Sequence, residues 1–381
     1  MPAIVWGAGR IGRGFVAELL MEGGYFVDFV DRDRHLVDAL NQNGRYTIFK
    51  ALEDGILRRA IDGGFHAHHT AEDLSDLFLR EECLIDVAVF KEDLESAADM
   101  LAPYITLRAG KMPASKADII TNVNMTSPEH AFRAMLEARL AGSAREYLDR
   151  NVGISGIFMM CISPDARPEM LAEDPLAVYN NGFFEQGLDA TAFRGDPPKA
   201  PRLRLSHRLE AEEARKLYTL NMAHCALAYL GTPKGYASSL EAVNDGELRA
   251  ILCGALDEAA IGLEAKFGFS HGEMTEWKEI ILSLLRNPYM TDPLSRLGAD
   301  SARKLSASDR LVTPARLCLM AGEMPVNLAK VIRAGYAFQN DDPGTWRVQA
   351  MVEASGLEAA IAEISGIEKA SKLFEMIIEE E

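Results

Sequence analysis

The sequence predicts an α/β protein in two parts: a doubly wound, mostly parallel sheet over residues 1–200, then an all-α domain over residues 201–381. Three observations carry this. An apolar strand at the start of the chain runs straight into a glycine-rich turn; strands and helices then alternate; and from about Leu209 onward helix-period runs dominate. At 381 residues the chain is long enough for two domains with a sizeable core.

The opening PAIVW is followed by Gly7-x-Gly9-x-x-Gly12 and a helical run to Leu20. Strand, turn and helix in that order are the context a Rossmann-type dinucleotide fingerprint requires. Gly7 makes the turn, Gly9 admits a pyrophosphate, and Gly12 allows close helix packing. Amides at the helix start, at Arg10 and Ile11, then meet the phosphates. A second strand, Tyr25 to Val30, ends at Asp31, whose carboxylate can bond the ribose hydroxyls of NAD and repel the extra phosphate of NADP. Arg32 beside it leaves some NADP binding open. The alternative is a glycine-rich turn in an α/β domain that binds no cofactor.

Further strands are expected at Leu84 to Phe90 and Ala117 to Val123. Asn122 and Asn124 close the latter, where doubly wound folds place ligands, so either amide reaches a cofactor or substrate or simply caps a turn. Val152 to Ile162 follows, then prolines at 164, 168 and 175, and the segment Gly195 to Arg202 has the composition of a connection between domains. Beyond it, helices are expected at Leu209 to Leu230, Glu241 to Phe267, Glu273 to Leu285, Val326 to Phe338, Trp346 to Ala354 and Leu357 to Ile364.

The stretch Lys216 to Gly231, KLYTLNMAHCALAYLG, reads as one buried helix interrupted by three polar side chains, Lys216, Asn221 and His224. At roughly 100° per residue they project at about 0°, 140° and 80°, on one side of such a helix. A lysine in an apolar site loses proton affinity and can take a proton from an alcohol, while an amide and an imidazole polarise the reacting oxygen. The plainer alternative is a solvated lysine, with Asn221 and His224 hydrogen-bonded in the core. Basic residues gather at Arg296, Arg303, Lys304 and Arg310; Arg303 and Lys304 are candidates for an anionic substrate group. Ser306-x-x-Asp309 resembles a capping box opening the helix that carries Arg310.

Hydrophobic content of 48% and charged content of 25% suit an ordinary soluble globular protein. A net charge of −17, with no basic stripe among aromatics, argues against a nucleic-acid surface. The five cysteines are scattered, with no ligand spacing, and His66, His68 and His69 lack nearby carboxylates or thiols, so no metal site is expected. The absence of a leader pattern and of an apolar run near about 18 residues leads us to expect a cytoplasmic protein, off the membrane.

Read together, GAGRIGRGF, the strand-terminal Asp31, KLYTLNMAHCALAYLG, NPYMTDPLSRLG, RKLSASDRL and the late AEISG make the chain similar to the polyol-specific long-chain (mannitol) dehydrogenase family, and within it to the mannitol-phosphate enzymes. The resemblance covers nearly the whole chain, in order. It implies zinc-independent hydride transfer between NAD and a polyol or polyol phosphate, with Lys216 as general acid/base and Asn221 and His224 orienting the oxygen. The departures are Phe90-Lys91 where a small glycine turn is usual, Asn122-Val123-Asn124 for Cys-Glu-Asn, Met160-Cys161 for Asp-Arg, and Ala299 for an arginine. A hexonate dehydrogenase of the same family, or an NAD-binding sensor without turnover, are the competing readings.

Overall fold

The computed structural model describes residues 1–125, 127–183 and 185–379, which form two compact units, Met1–Leu209 and Glu210–Glu381. The closing acidic residues Glu380 and Glu381 lie outside the described residues.

Among the described residues of the first unit, twelve strands run in chain order: β1 Pro2–Trp6, β2 Phe26–Asp31, β3 Arg45–Leu52, β4 Gly55–Asp62, β5 Phe65–His69, β6 Cys83–Val87, β7 Ala117–Thr121, β8 Val152–Ser155, β9 Ile157–Met159, β10 Val178–Asn180, β11 Gln186–Asp189 and β12 Leu203–Ser206. Six form the main sheet, ordered β5-β2-β1-β6-β7-β8, and every pairing in it is parallel. Counted within the sheet this is the order 3-2-1-4-5-6, which reverses between β1 and β6. Parallel strands covered on both faces should read as continuous apolar runs, and β7 is buried at all five positions.

Two smaller sheets were not expected. β3 and β4 form an antiparallel hairpin that β10 joins, and β11 pairs with β9 and β12. The hairpin escapes a reading for βα alternation because β4, GILRRAID, is a mostly exposed edge strand with two adjacent arginines and no period-two pattern. It is tied down by charge: Lys50 on β3 donates to both carboxylate oxygens of Glu18 at 2.7 Å, and Arg59 on β4 reaches Glu18 at 2.7 Å and Glu22 at 3.0 Å. The proline-rich Gly195–Arg202 segment is likewise no free tether. Arg202 pairs with Glu22 at 2.6 Å and with Glu18 at 3.1 Å, and β12 follows directly.

The second unit is helical. Its long helix Gly246–Phe267 packs on Val312–Met320, where Gly262 permits a close approach: a Cβ there would lie 2.7 Å from that of Leu317. Capping boxes at Ser238/Glu241 and Ser270/Glu273 start two of the helices, Ser239–Asn244 and His271–Arg286. Asp245 caps the next one, so the run expected as Glu241 to Phe267 is two helices. The predicted capping box at Ser306 does not form. Residues 306–311 are a turn, the following helix begins at Val312, and the Asp309 carboxylate instead holds Arg303 and Arg310.

Candidate active site

The turn after β1 is built by contacts that only glycine permits. Gly7 has φ +104°, and a Cβ on it would lie 2.3 Å from the Ala88 carbonyl oxygen, just past the end of β6. A Cβ on Gly12 would lie 2.0 Å from the Gly7 carbonyl oxygen, so the helix can start against the turn only without a side chain there. Around Gly9 a Cβ would meet nothing within 4 Å, so the structure leaves that face open.

The Ala8 peptide is held on both sides: its N–H donates to Asp31 Oδ2 at 2.7 Å, and its carbonyl accepts from Arg13 Nε at 2.6 Å. Asp31 Oδ1 also accepts from Asp33 N at 2.9 Å. The first helical bond runs from Arg13 N to the Gly9 carbonyl at 3.0 Å, which leaves the amides of Arg10, Ile11 and Gly12 as the orphan donors of the helix start. The Arg10 side chain points away into an exposed pair with Asp165 at 2.7 Å. Arg32 is engaged in two bonds to Asp93, at 2.7 and 3.1 Å.

At the end of β7, Asn124 is exposed, whereas Asn122 is buried in a polar chain. Asn122 donates to both Asp86 oxygens at 2.8 and 2.6 Å and accepts from Gln186 at 2.7 Å. Burial pushes the Asp86 carboxyl up to about 7, with Asn122 pulling the other way. This joins β6, β7 and β11 from inside and accounts for Asn122 structurally. Sequence reading passed over Asp86, although an acid inside an otherwise apolar strand was the available signal.

The helix expected over Lys216 to Gly231 is broken. Lys216 belongs to Leu209–Tyr218, while Asn221 and His224 belong to Leu220–Gly231, and Thr219 between them has φ −121° and ψ −74°. The cause is local. The Thr219 hydroxyl bonds back to the Arg215 carbonyl and accepts from Trp277 Nε1 at 2.9 Å, while Arg215 lies 4.0 Å from the centre of the Trp277 ring. A shared face therefore no longer follows from helical angles.

Lys216, Asn221 and His224 are all half-buried. Neither the Asn221 amide nor the His224 ring makes a hydrogen bond with the described residues. The plainer alternative, polar groups satisfied in a core, is thereby lost for these two. Burial pushes the His224 imidazole down to about 4; Asp292 opposes the shift, and Arg296, Arg310 and Lys304 reinforce it. The ring is neutral at neutral pH and can donate one hydrogen bond and accept another.

The basic residues around it are mostly committed. Lys304 is buried and donates to the Leu297 carbonyl at 2.7 Å, and burial lowers its proton affinity. Arg303 is half exposed and pairs with Asp300 at 2.6 Å and Asp309 at 3.0 Å; Arg310 pairs with Asp309 at 2.7 Å, and Arg296 with Asp292. The histidines of β5 are used locally: His68 meets Asp28 at 3.1 Å, and His69 meets the Arg32 carbonyl at 3.0 Å. Among the described residues no group of three His, Cys, Asp or Glu is arranged to hold a metal, and no helix is long and apolar enough to cross a membrane.

A parallel sheet reversing between β1 and β6, with a glycine turn at the reversal and an aspartate at the end of the neighbouring β2, defines a dinucleotide-binding domain. Residues 1–201 match the mannitol dehydrogenase Rossmann domain, and residues 208–380 match the mannitol dehydrogenase C-terminal domain. The chain belongs to the mannitol dehydrogenase family, and as such is an NAD-dependent oxidoreductase of the polyol type. Its fold is similar to that of a D-sorbitol dehydrogenase in substrate-free form, with a TM-score of 0.81 at 14% identity over 99% of this chain and 91% of that one. It is also similar to a Pseudomonas fluorescens mannitol 2-dehydrogenase solved with NAD and D-mannitol, with a TM-score of 0.66 at 17% identity over 98% of this chain and 87% of that one.

Proposed function

We propose that the protein interconverts a polyol or polyol phosphate, of the mannitol 1-phosphate type, and the corresponding ketose, of the fructose 6-phosphate type, with lysine rather than zinc as the acid/base. The amino-terminal domain, residues 1–200, carries NAD through Gly7, Gly9, Gly12, the amides of Arg10 and Ile11, Asp31 and Asn124. The helical domain, residues 201–381, carries the proton chemistry. NAD, when bound, supplies the hydride acceptor. In the oxidation direction Lys216, as the free amine, takes the hydroxyl proton while the carbinol C–H leaves as hydride; in reduction the lysine returns that proton to the oxygen. Asn221 and the neutral His224 ring donate hydrogen bonds to the oxygen as it gains charge.

The observation that carries this reading is that Asn221 and His224 are half-buried yet have no hydrogen-bond partner among the described residues. The amide and the imidazole, three residues apart on one helix and uncommitted to the described residues, are available to bond a ligand. Arg303, exposed where Lys304 is buried, meets the anionic end of the substrate, and Lys304 sets the local field. That cluster favours a carboxylate as much as a phosphate, which keeps a hexonate as the second substrate class. None of the five cysteines forms a disulfide among the described residues, which suits a reducing compartment such as the cytoplasm.

The test is a panel of alditols, alditol phosphates and aldonates with NAD, read as NADH absorbance. Turnover restricted to alditol phosphates supports the proposal; turnover of aldonates alone moves the substrate class. Tight NAD binding with no turnover on the whole panel would make the protein a sensor.

A further inference from the structure

We propose that Arg13 is a positioning residue for the dinucleotide turn, and that its buried charge is the counter-charge for the cofactor's pyrophosphate. The inference rests on the NAD reading above and adds a residue outside the glycine fingerprint.

Arg13 lies four residues after Gly9 and is 8% exposed. It sits in the π-helical turn Gly12–Val16, which precedes the regular helix Ala17–Glu22. Its Nε donates to the Ala8 carbonyl at 2.6 Å and its Nη1 to the Leu176 carbonyl at 2.5 Å, with the guanidinium 5.8 Å from the Tyr46 ring centre. The turn around it is fixed by two further side chains. Tyr46 donates to the Arg13 carbonyl at 2.9 Å, and Asn180 donates to the Gly14 carbonyl at 2.7 Å. Since Asp31 holds the Ala8 N–H, the peptide between Gly7 and Gly9 is gripped by an anion on one side and a cation on the other.

The comparison with other buried cations in the same unit separates a strut from a charge kept for use. Lys50 is neutralised by Glu18, with both oxygens at 2.7 Å. Arg108 has no carboxylate, but its nitrogens are spent on Tyr147, Ser115 and the carbonyls of Phe78, Arg80 and Lys116. Arg13 makes two side-chain bonds, both to neutral carbonyls, and Nη2 bonds no described residue. Asp31 and Asp174 act on it only at longer range, beyond salt-bridge distance. A guanidinium in low dielectric without a carboxylate is costly unless an anion arrives, and the open face at Gly9 with its orphan amides is where one is expected.

The test compares Arg13→Gln and Arg13→Lys with wild type. Affinities for NAD, ADP-ribose and adenosine are read by displacement of NADH fluorescence, with melting curves beside them. The charge role predicts that Arg13→Gln weakens NAD and ADP-ribose by about tenfold or more while adenosine changes less than about twofold. Arg13→Lys, which keeps the charge, should stay within about threefold of wild type for NAD, and the wild-type NAD affinity should fall more steeply with salt than that of Arg13→Gln. Equal loss for adenosine and ADP-ribose, or no loss at all, overturns the inference. If wild type binds neither NAD nor ADP-ribose, the dinucleotide reading itself fails, a result distinct from both.

Discussion

Replacing Gly9 by alanine separates the fold from the cofactor site. The added methyl would meet nothing within 4 Å in the protein, so no packing is disturbed. Alanine in place of glycine at a helix start costs about 1 kcal/mol, so the melting temperature should move by no more than about 4 °C. The same methyl stands on the open face over the helix amides, where a pyrophosphate approaches. Forcing an extra methyl into a tight contact costs about 1–3 kcal/mol, or roughly 5- to 150-fold in Kd. Gly12→Ala is the contrasting control. Its Cβ would lie 2.0 Å from the Gly7 carbonyl oxygen, a backbone atom that cannot swing aside, so that variant should lose about 3 kcal/mol or more of stability before any ligand is added. Isothermal titration with NAD and urea unfolding measure both. A Gly9→Ala protein with unchanged melting and an NAD Kd within twofold of wild type would refute the reasoning.

Three further outcomes follow from the same structure. His224 is held near a pKa of about 4 against 6.5 when unfolded, so acidification from pH 6.5 to 4 protonates the unfolded chain first. Wild type should lose up to about 3 kcal/mol over that window relative to His224→Gln, somewhat less because the residue keeps some solvent contact; a ring titrating near 6.5 by NMR would contradict this. Burial raises the Asp342 carboxyl but the Thr345 amide and hydroxyl and the Asp300 amide pull it down to about 2. Its contribution, at most about 2 kcal/mol and smaller for a carboxyl this open to solvent, should be complete above pH 4 and lost as pH falls through 2, a dependence that Asp342→Asn should remove in urea titrations. Thr219→Val should cost about 1–3 kcal/mol because Trp277 Nε1 is left buried without its acceptor, and it should lower kcat if the helix break places Lys216; unchanged melting and unchanged kcat would dispose of both.

Much of this was written in residue pattern. β1, the glycine turn and Asp31 are local features, each set by a few adjacent residues, and the structure places them where the spacing implies. The strands β6 and β7 were also visible, three and two residues too long at their carboxyl ends, because an apolar residue such as Phe90 can lie outside a strand and on the surface. What escaped depends on partners far apart in sequence. The break at Thr219 needs Trp277, the burial of Asn122 needs Asp86 and Gln186, and the grip of Arg13 needs Leu176 and Tyr46. Asp309 reads as a helix cap until Arg303 and Arg310 claim it.

The departures from the mannitol-phosphate enzymes fall into two physical kinds. The Asn122 side chain is spent on Asp86 and Gln186 in a buried network, so its substitution bears on the sheet. Ala299 lies beside Asp300 and the basic cluster, where the arginine that the resemblance implies would have added a further positive charge. The panel of alditols, alditol phosphates and aldonates is therefore the experiment that assigns the substrate.

The role of Lys216 is the claim on which the chemistry turns, and one rate tests it most directly. With saturating NAD and the best substrate of the panel, Lys216→Ala should lower kcat by about 10²- to 10⁴-fold, the usual worth of a general acid/base, while its NAD affinity stays within about twofold of wild type. A kcat for Lys216→Ala within a few-fold of wild type would show that the proton goes elsewhere.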